Sequence, residues 1–183
     1  MTLPDAGESR LKQDRARKTR QDIMLAAAKA FDQLGYTAAR LDDIGRDARV
    51  TKGALYFHFP SKAELAKAVV AAHFTRWVGV RDAVLAHDLD PLTTIVALSF
   101  AVGRNYRSSV IARAGVRLGN EYQVIDIDLP RPFVGWIGQL RELLEQAQAQ
   151  ELVRESLDCD ATANAIVASY FGMQEVSSRL TDT

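Results

Sequence analysis

The sequence predicts an all-α protein, and three observations carry that prediction. Apolar residues recur at three- and four-residue steps almost throughout the 183 residues, alternating strand patterns are absent, and helix start and stop signals punctuate the chain. With 48% hydrophobic residues the chain can bury a proper core. No run of eighteen apolar residues occurs, and residues 1–20 are polar and basic, so neither a membrane span nor a secretory signal is expected and the expected location is cytoplasmic. The single cysteine, Cys159, cannot close an internal disulfide and is expected to be a bystander in a reducing compartment.

The first helix is expected from about Lys18 to Leu34, with Ile23, Ala27, Phe31 and Leu34 on one face and Gly35 as its left-handed stop. A second short helix, about Leu41 to Ala48, precedes a turn through Arg49 and Val50, and a third runs from about Lys52 to Phe57. Two short helices joined by a tight turn make a helix-turn-helix. Ser61 and Glu64 form an S-x-x-E capping box that opens a long fourth helix, reaching about His87, with Leu65, Val69, Ala72, Trp77, Val80 and Val84 as its inner stripe. After the start signal Asp88-Leu89-Asp90-Pro91 come a helix to about Arg107 and a shorter one from about Val110 to Leu118. Residues 119–132, polar and proline-bearing, read as a loop. Phe133, Trp136, Ile137, Leu140, Leu143, Leu144 and Ala147 then keep helical period to about Gln150. The last helix, about Asp160 to Leu180, is apolar nearly all round from Ala161 to Met173, which predicts the core on one side and a second subunit on the other.

Overall neutrality hides a division of charge. Residues 1–62 carry twelve Lys or Arg against eight Asp or Glu, and residues 63–183 carry eleven against fifteen. The densest part is Arg10, Lys12, Arg15, Arg17, Lys18 and Arg20, broken only by Asp14. Such a run either follows phosphates as a flexible arm or is a solvated tail.

The stretch Val50 to Lys62, V-T-K-G-A-L-Y-F-H-F-P-S-K, combines a helix start, a bare glycine and an aromatic-basic cluster, which suits a helix presented to DNA. The Thr51 hydroxyl can cap the first turn, and Gly53 removes a side chain where the helix would approach the duplex most closely. Lys52, Tyr56, His58 and Lys62 can then reach phosphate oxygens or base edges. Leu55, Phe57 and Phe59 read as core of the small domain. His58, between those aromatics, is expected on the exposed side, a buried structural imidazole being the other possibility.

Residues Arg17 to Trp77, with Leu41, Ile44, Ala48 and Val50 upstream of this stretch and Phe31, Leu34, Gly35 and Tyr36 before them, resemble the DNA-binding domain of TetR-type transcriptional regulators. Within that family, T-K-G-A-L-Y-F-H-F-P-S-K together with P-R-P-F-V-G-W at Pro130 to Trp136 is similar to the γ-butyrolactone (autoregulator) receptors of antibiotic-producing actinomycetes. The resemblance implies a helix-turn-helix domain over residues 17–77, its recognition motif at 40–59, and a ligand-binding and dimerisation domain over 78–183. Two residues depart from the family pattern: Arg40 stands where a Ser or Thr would cap the second helix, and Arg49 where the turn commonly holds glycine, a position at which a side chain is strained. Regulators of this kind also usually continue into a further helix that completes the dimer interface, whereas this sequence stops at Thr183.

The resemblance implies that Thr51, Lys52 and Gly53 read bases, with Tyr56, His58 and Lys62 on phosphates and Lys18 and Arg49 adding charge near DNA. On sequence physics alone a tryptophan on an apolar helical face is core. In the butyrolactone receptors, however, a tryptophan after P-x-P-F lines the ligand cavity, and here Trp136 holds that position. Phe74, Trp77, Phe133 and Tyr170 lie on helices expected around the same space, where each can equally be packing. The function so implied is a homodimeric repressor on a pseudo-palindromic operator, released by a γ-butyrolactone, butenolide or furan autoregulator and controlling antibiotic or other secondary-metabolite genes. The alternative is a pseudo-receptor or constitutive DNA binder that senses no diffusible ligand.

Catalysis lacks support. His58, His73 and His87 do not approach metal-ligand spacing, no E-x-x-H pair, phosphate loop or G-x-S-x-G elbow occurs, and the acidic pairs Asp88/Asp90 and Asp126/Asp128 lack the calcium-loop glycine. No enzyme, metal or cofactor is therefore expected.

Overall fold

The computed structural model describes residues 6–121 and 133–181. Pro130, Pro132, Asp126, Asp128 and most of the loop expected over 119–132 lie outside them. Every described element is a helix: α1 (Ala6–Ala38), α2 (Leu41–Asp47), α3 (Lys52–His58), α4 (Lys62–Leu85), α5 (Pro91–Ser108), α6 (Val110–Asn120), α7 (Val134–Ala149) and α8 (Cys159–Thr181).

The helix boundaries follow local chemistry. Gly35 sits at φ 77° and ψ 177°, a region that glycine alone enters cheaply, and it breaks the last turns of α1 from the rest. Thr51 Oγ1 accepts from the Ala54 N–H at 3.2 Å to start α3, and Ser61 Oγ accepts from the Glu64 N–H at 3.1 Å to start α4. Asp90 Oδ1 takes the N–H groups of Leu92 and Thr93, each at 3.1 Å, ahead of α5. Arg40 precedes α2 in an extended conformation with no side-chain cap, and Arg49 takes φ 56°. The strain expected at Arg49 is therefore present. One boundary differs: α1 begins at Ala6, so the basic run is helical rather than a flexible arm.

The residues fall into two compact units. The first comprises residues 1–78 with 104–130, and its core gathers Ile23, Ala27 and Phe31 of α1, Ile44 of α2, Leu55 of α3 and Phe59 just after it, Leu65 and Val69 of α4, and Ala114 and Leu118 of α6. Leu34, expected on the inner face of α1, is 52% exposed, because the helix breaks one residue later. Within this unit α6 lies along α1, tied by Arg113 and Arg117 to Asp32. Gly115 of α6 meets His73 of α4 so closely that an added methyl would overlap the imidazole's Cβ and Cγ.

The second unit comprises residues 79–103 with 131–183. Its α7 buries Trp136, Leu140, Leu143, Leu144 and Ala147, while α8 buries Ala163 and Val167. Met173 and Val176 of α8 remain exposed, at 70% and 57%. The helix thus has one packed side and one apolar open side, as its all-round hydrophobicity predicts. Gln148 organises the turn after α7 by donating to the carbonyls of Arg154, Glu155 and Leu157 and accepting from the Cys159 thiol.

Candidate functional site

The helix-turn-helix is held together by small residues and backbone bonds. Gly45 is buried, and a side chain there would press on Leu55 Cδ1, so α2 and α3 cross at close range. The Val50 N–H donates to Gly45 O at 3.0 Å and the Arg49 N–H to Arg46 O at 3.0 Å, closing the turn. With Leu55 and Phe59 buried, the opposite side of α3 faces outward.

That outward side carries Thr51, Lys52, Gly53 and Tyr56, all exposed, with His58 half-buried. A methyl added to Gly53 would meet nothing within 4 Å, so the fold itself makes no demand for glycine there. Lys52 Nζ lies 3.8 Å from Asp42 Oδ1 and 5.9 Å from the Tyr56 ring centre, both side chains of the ion pair being solvated. Arg49 and Lys18 are exposed. Lys62 has a different occupation from the others. Its ammonium donates to Ala39 O at 2.8 Å and Thr37 O at 3.2 Å, lies 4.5 Å over the Tyr36 ring, and has its pKa lowered by burial. Two of its three protons are thereby committed to the end of α1, leaving one for a phosphate.

Phe57 departs from the sequence reading as core: it is 81% exposed. The signal was available, because Leu55 and Phe59 share a face four residues apart, and a residue midway between them points about 200° away. Its ring stands edge-on to His58 at 5.2 Å, adding an apolar group to the outward face.

In the second unit four aromatic rings meet. Trp136, 4% exposed, stands edge-on to Tyr170 at 5.1 Å and to Phe171 at 6.0 Å, while Phe133 lies 3.9 Å from Phe171. The structure thus brings Phe133, Trp136 and Tyr170 together and adds Phe171, which the uniformly apolar pattern of α8 did not single out. Phe133 holds φ 72° at the start of α7, a strained conformation for a bulky residue. Phe74 and Trp77 belong to the first unit, on α4, both half-buried. Among the described residues no cluster of three or more His, Cys, Asp or Glu could hold a metal, and no helix is long and apolar enough to cross a membrane.

Two family models match the chain. The model for bacterial regulatory proteins of the tetR family covers residues 23–69, and that for the tetracyclin repressor-like C-terminal domain covers residues 89–183. The chain belongs to the TetR family. Among TetR-family relatives, the A-factor receptor protein of Streptomyces griseus is 36% identical over 166 residues, which is 91% of this chain and 57% of that protein. The chain thus spans a little over half the length of that relative. A solved γ-butyrolactone receptor, ArpA-like, superposes with TM-score 0.78 at 33% identity, covering 85% of this chain and 80% of that one. CprB from Streptomyces coelicolor, solved in complex with its operator sequence, superposes with TM-score 0.73 at 33% identity, covering 82% of this chain and 75% of that one.

Proposed function

We propose that this TetR-family chain is a ligand-responsive transcriptional repressor that binds a pseudo-palindromic operator as a homodimer and is released by a small autoregulator of the γ-butyrolactone, butenolide or furan type. The observation that carries the DNA half is the outward face of α3, where an unobstructed glycine sits among Thr51, Lys52, Tyr56 and Phe57. In a helix-turn-helix the first residues of the second helix enter the major groove, so Thr51, Lys52 and Gly53 meet base edges while Tyr56, His58, Arg49 and Lys18 meet phosphates. Phe57 offers an apolar surface to a thymine methyl.

The aromatic group Phe133, Trp136, Tyr170 and Phe171 is the proposed wall of the ligand site. Flat rings with one indole N–H suit a lactone carrying an alkyl chain: apolar area gives affinity and a few polar groups give orientation. The likeness to γ-butyrolactone receptors, 33% identity with TM-score 0.78, supports that ligand class. Release requires the ligand to prefer the DNA-free state, and α4, whose residues up to Val78 belong to the first unit and the rest to the second, is the proposed lever. The second copy covers the open apolar side of α8. The regulated genes are those of antibiotic or other secondary-metabolite pathways, and the working compartment is the cytoplasm.

A mobility-shift titration on DNA from upstream of the chain's own gene tests the reading, run with and without a butyrolactone-containing culture extract. Specific binding relieved by the extract is expected. Specific binding indifferent to every such extract would instead leave a regulator without a diffusible ligand.

A further inference from the structure

Residues 10–22 of α1 precede Ile23, the first buried residue among those whose side chains are described, and at 1.5 Å per residue they span about 20 Å of helix. From Arg10 to Asp22 every residue but Thr19 is exposed. Six of them, Arg10, Lys12, Arg15, Arg17, Lys18 and Arg20, are cationic against Asp14 and Asp22, and none of the six is ion-paired among the described residues.

The distribution of these charges says what they fit. At 100° per residue the six cations spread round the whole helix, and Leu11 is the one large apolar side chain among them. A membrane-surface helix or a helix docking on a protein needs an apolar stripe, which is missing here. A polyanion needs only positive charge on long, mobile side chains. Position adds a second argument. The Arg20 guanidinium lies 4.7 Å over the ring of Phe59, the residue immediately after α3, and Asp22, Leu25 and Lys29 share a surface groove with Arg49. The extension therefore leaves the head beside the end of α3 and the helix-turn-helix turn.

We propose that residues 10–20 are a second DNA-binding element, a cationic helix that lies along phosphates outside the stretch read by α3 and enlarges the footprint on each side of the operator. The proposal rests on the DNA-binding function above. It predicts that part of the affinity is independent of sequence, dependent on salt and dependent on flanking DNA.

The test replaces Arg10, Lys12, Arg15 and Arg17 by Gln, which favours helix as the originals do. Affinity is measured against KCl concentration for a duplex selected by the wild-type protein from a random-sequence pool, once with about 12 flanking base pairs on each side and once trimmed to the protected core. Each phosphate contact contributes about 0.9 to the slope of log K against log salt, and Arg10 with Arg17, or Lys12 with Arg15, share the side of the helix that faces the phosphates, so the flanked-duplex slope should fall by about 2 per subunit, with at least about a tenfold loss of affinity near 0.1 M salt. The preference for selected over random duplex should stay within about twofold, and the two proteins should be alike on the trimmed duplex. An unchanged slope in a variant whose circular dichroism is intact would overturn the proposal. So would loss confined to binding of phosphatidylglycerol vesicles, which would assign the run to a lipid surface. A wild-type protein that selects no sequence would instead sink the repressor reading itself, while its salt slope on random duplex still decides the role of the helix.

Discussion

The Nε of Arg113 on α6 donates to Oδ2 of Asp32 on α1 over 2.9 Å, a pairing of residues 81 apart in sequence. Arg117, one turn on, donates from Nη1 to the Asp32 carbonyl at 2.7 Å and from Nε to Glu121 at 3.0 Å. The other oxygen of Glu121 accepts the Tyr36 N–H at 2.7 Å. Two arginines and two carboxylates thus latch the end of α1 onto α6. A charged hydrogen bond contributes about 1.5–3 kcal/mol when buried and under about 1 when solvated, and this half-buried pair should fall between. A double-mutant cycle with Asp32→Asn and Arg113→Gln, followed by urea unfolding, should give a coupling near 1 kcal/mol. Strict additivity would show that the latch contributes nothing to stability.

His73 lies against the backbone of α6 at Gly115, with Nδ1 buried and without a hydrogen-bond partner among the described residues. Burial disfavours the imidazolium and holds its pKa below the ordinary histidine value. The folded state then binds fewer protons than the unfolded one, so the stability tied to this residue is complete above about pH 6.5 and is lost as pH falls from there through the folded pKa. The wild-type protein should lose urea resistance between pH 7 and pH 5 more steeply than His73→Gln does. Parallel profiles for the two proteins would contradict the assignment. Gly115→Ala should be destabilised at every pH, by about 1–3 kcal/mol, because its methyl collides with the imidazole.

At Gly53 stability and function should move in opposite directions. Alanine meets no obstacle there and favours helix, so Gly53→Ala should keep or raise stability by up to about 1 kcal/mol. Operator affinity should nonetheless fall about tenfold or more, since the methyl occupies the closest approach of α3 to the bases. Unaltered DNA binding would move the contact surface away from this residue.

Arg49 and Arg40 make the reverse case. Arg49 holds φ 56° and Arg40 leaves α2 uncapped by any side chain. Arg49→Gly and Arg40→Ser should each raise stability by about 1 kcal/mol, read as a higher thermal midpoint. Operator affinity should fall with the loss of Arg49 and grow more salt-independent. A lowered midpoint for Arg49→Gly would mean that its side chain, rather than its backbone, dominates locally.

Much of this architecture was legible because local chemistry and global fold agree: Thr51, Ser61 and Asp90 announce helices that start where they stand, and the period of Trp136, Leu140, Leu144 and Ala147 is the buried face of α7. The helical start at Ala6 was not legible, since a charge run has no apolar period. Phe57 was hidden by composition, one aromatic among several, although its spacing from Leu55 and Phe59 gave its direction. The bonds of Lys62 to the end of α1 were not legible either, because which oxygen a long cation reaches depends on the break at Gly35 that brings the carbonyls of Thr37 and Ala39 to it. Phe171 was invisible because a helix apolar on every side names no inner face.

If, as proposed, a small lactone and the operator compete through different conformations of one protein, operator affinity should depend on the concentration of a synthetic γ-butyrolactone. The wild-type protein should bind the operator at least about tenfold more weakly with the lactone, a coupling near 1.4 kcal/mol. Trp136→Ala should bind the operator normally while losing that response, and Trp136→Phe should keep part of it. Operator release that persists undiminished in a folded Trp136→Ala protein, or a wild-type affinity that no lactone changes, would contradict the proposal.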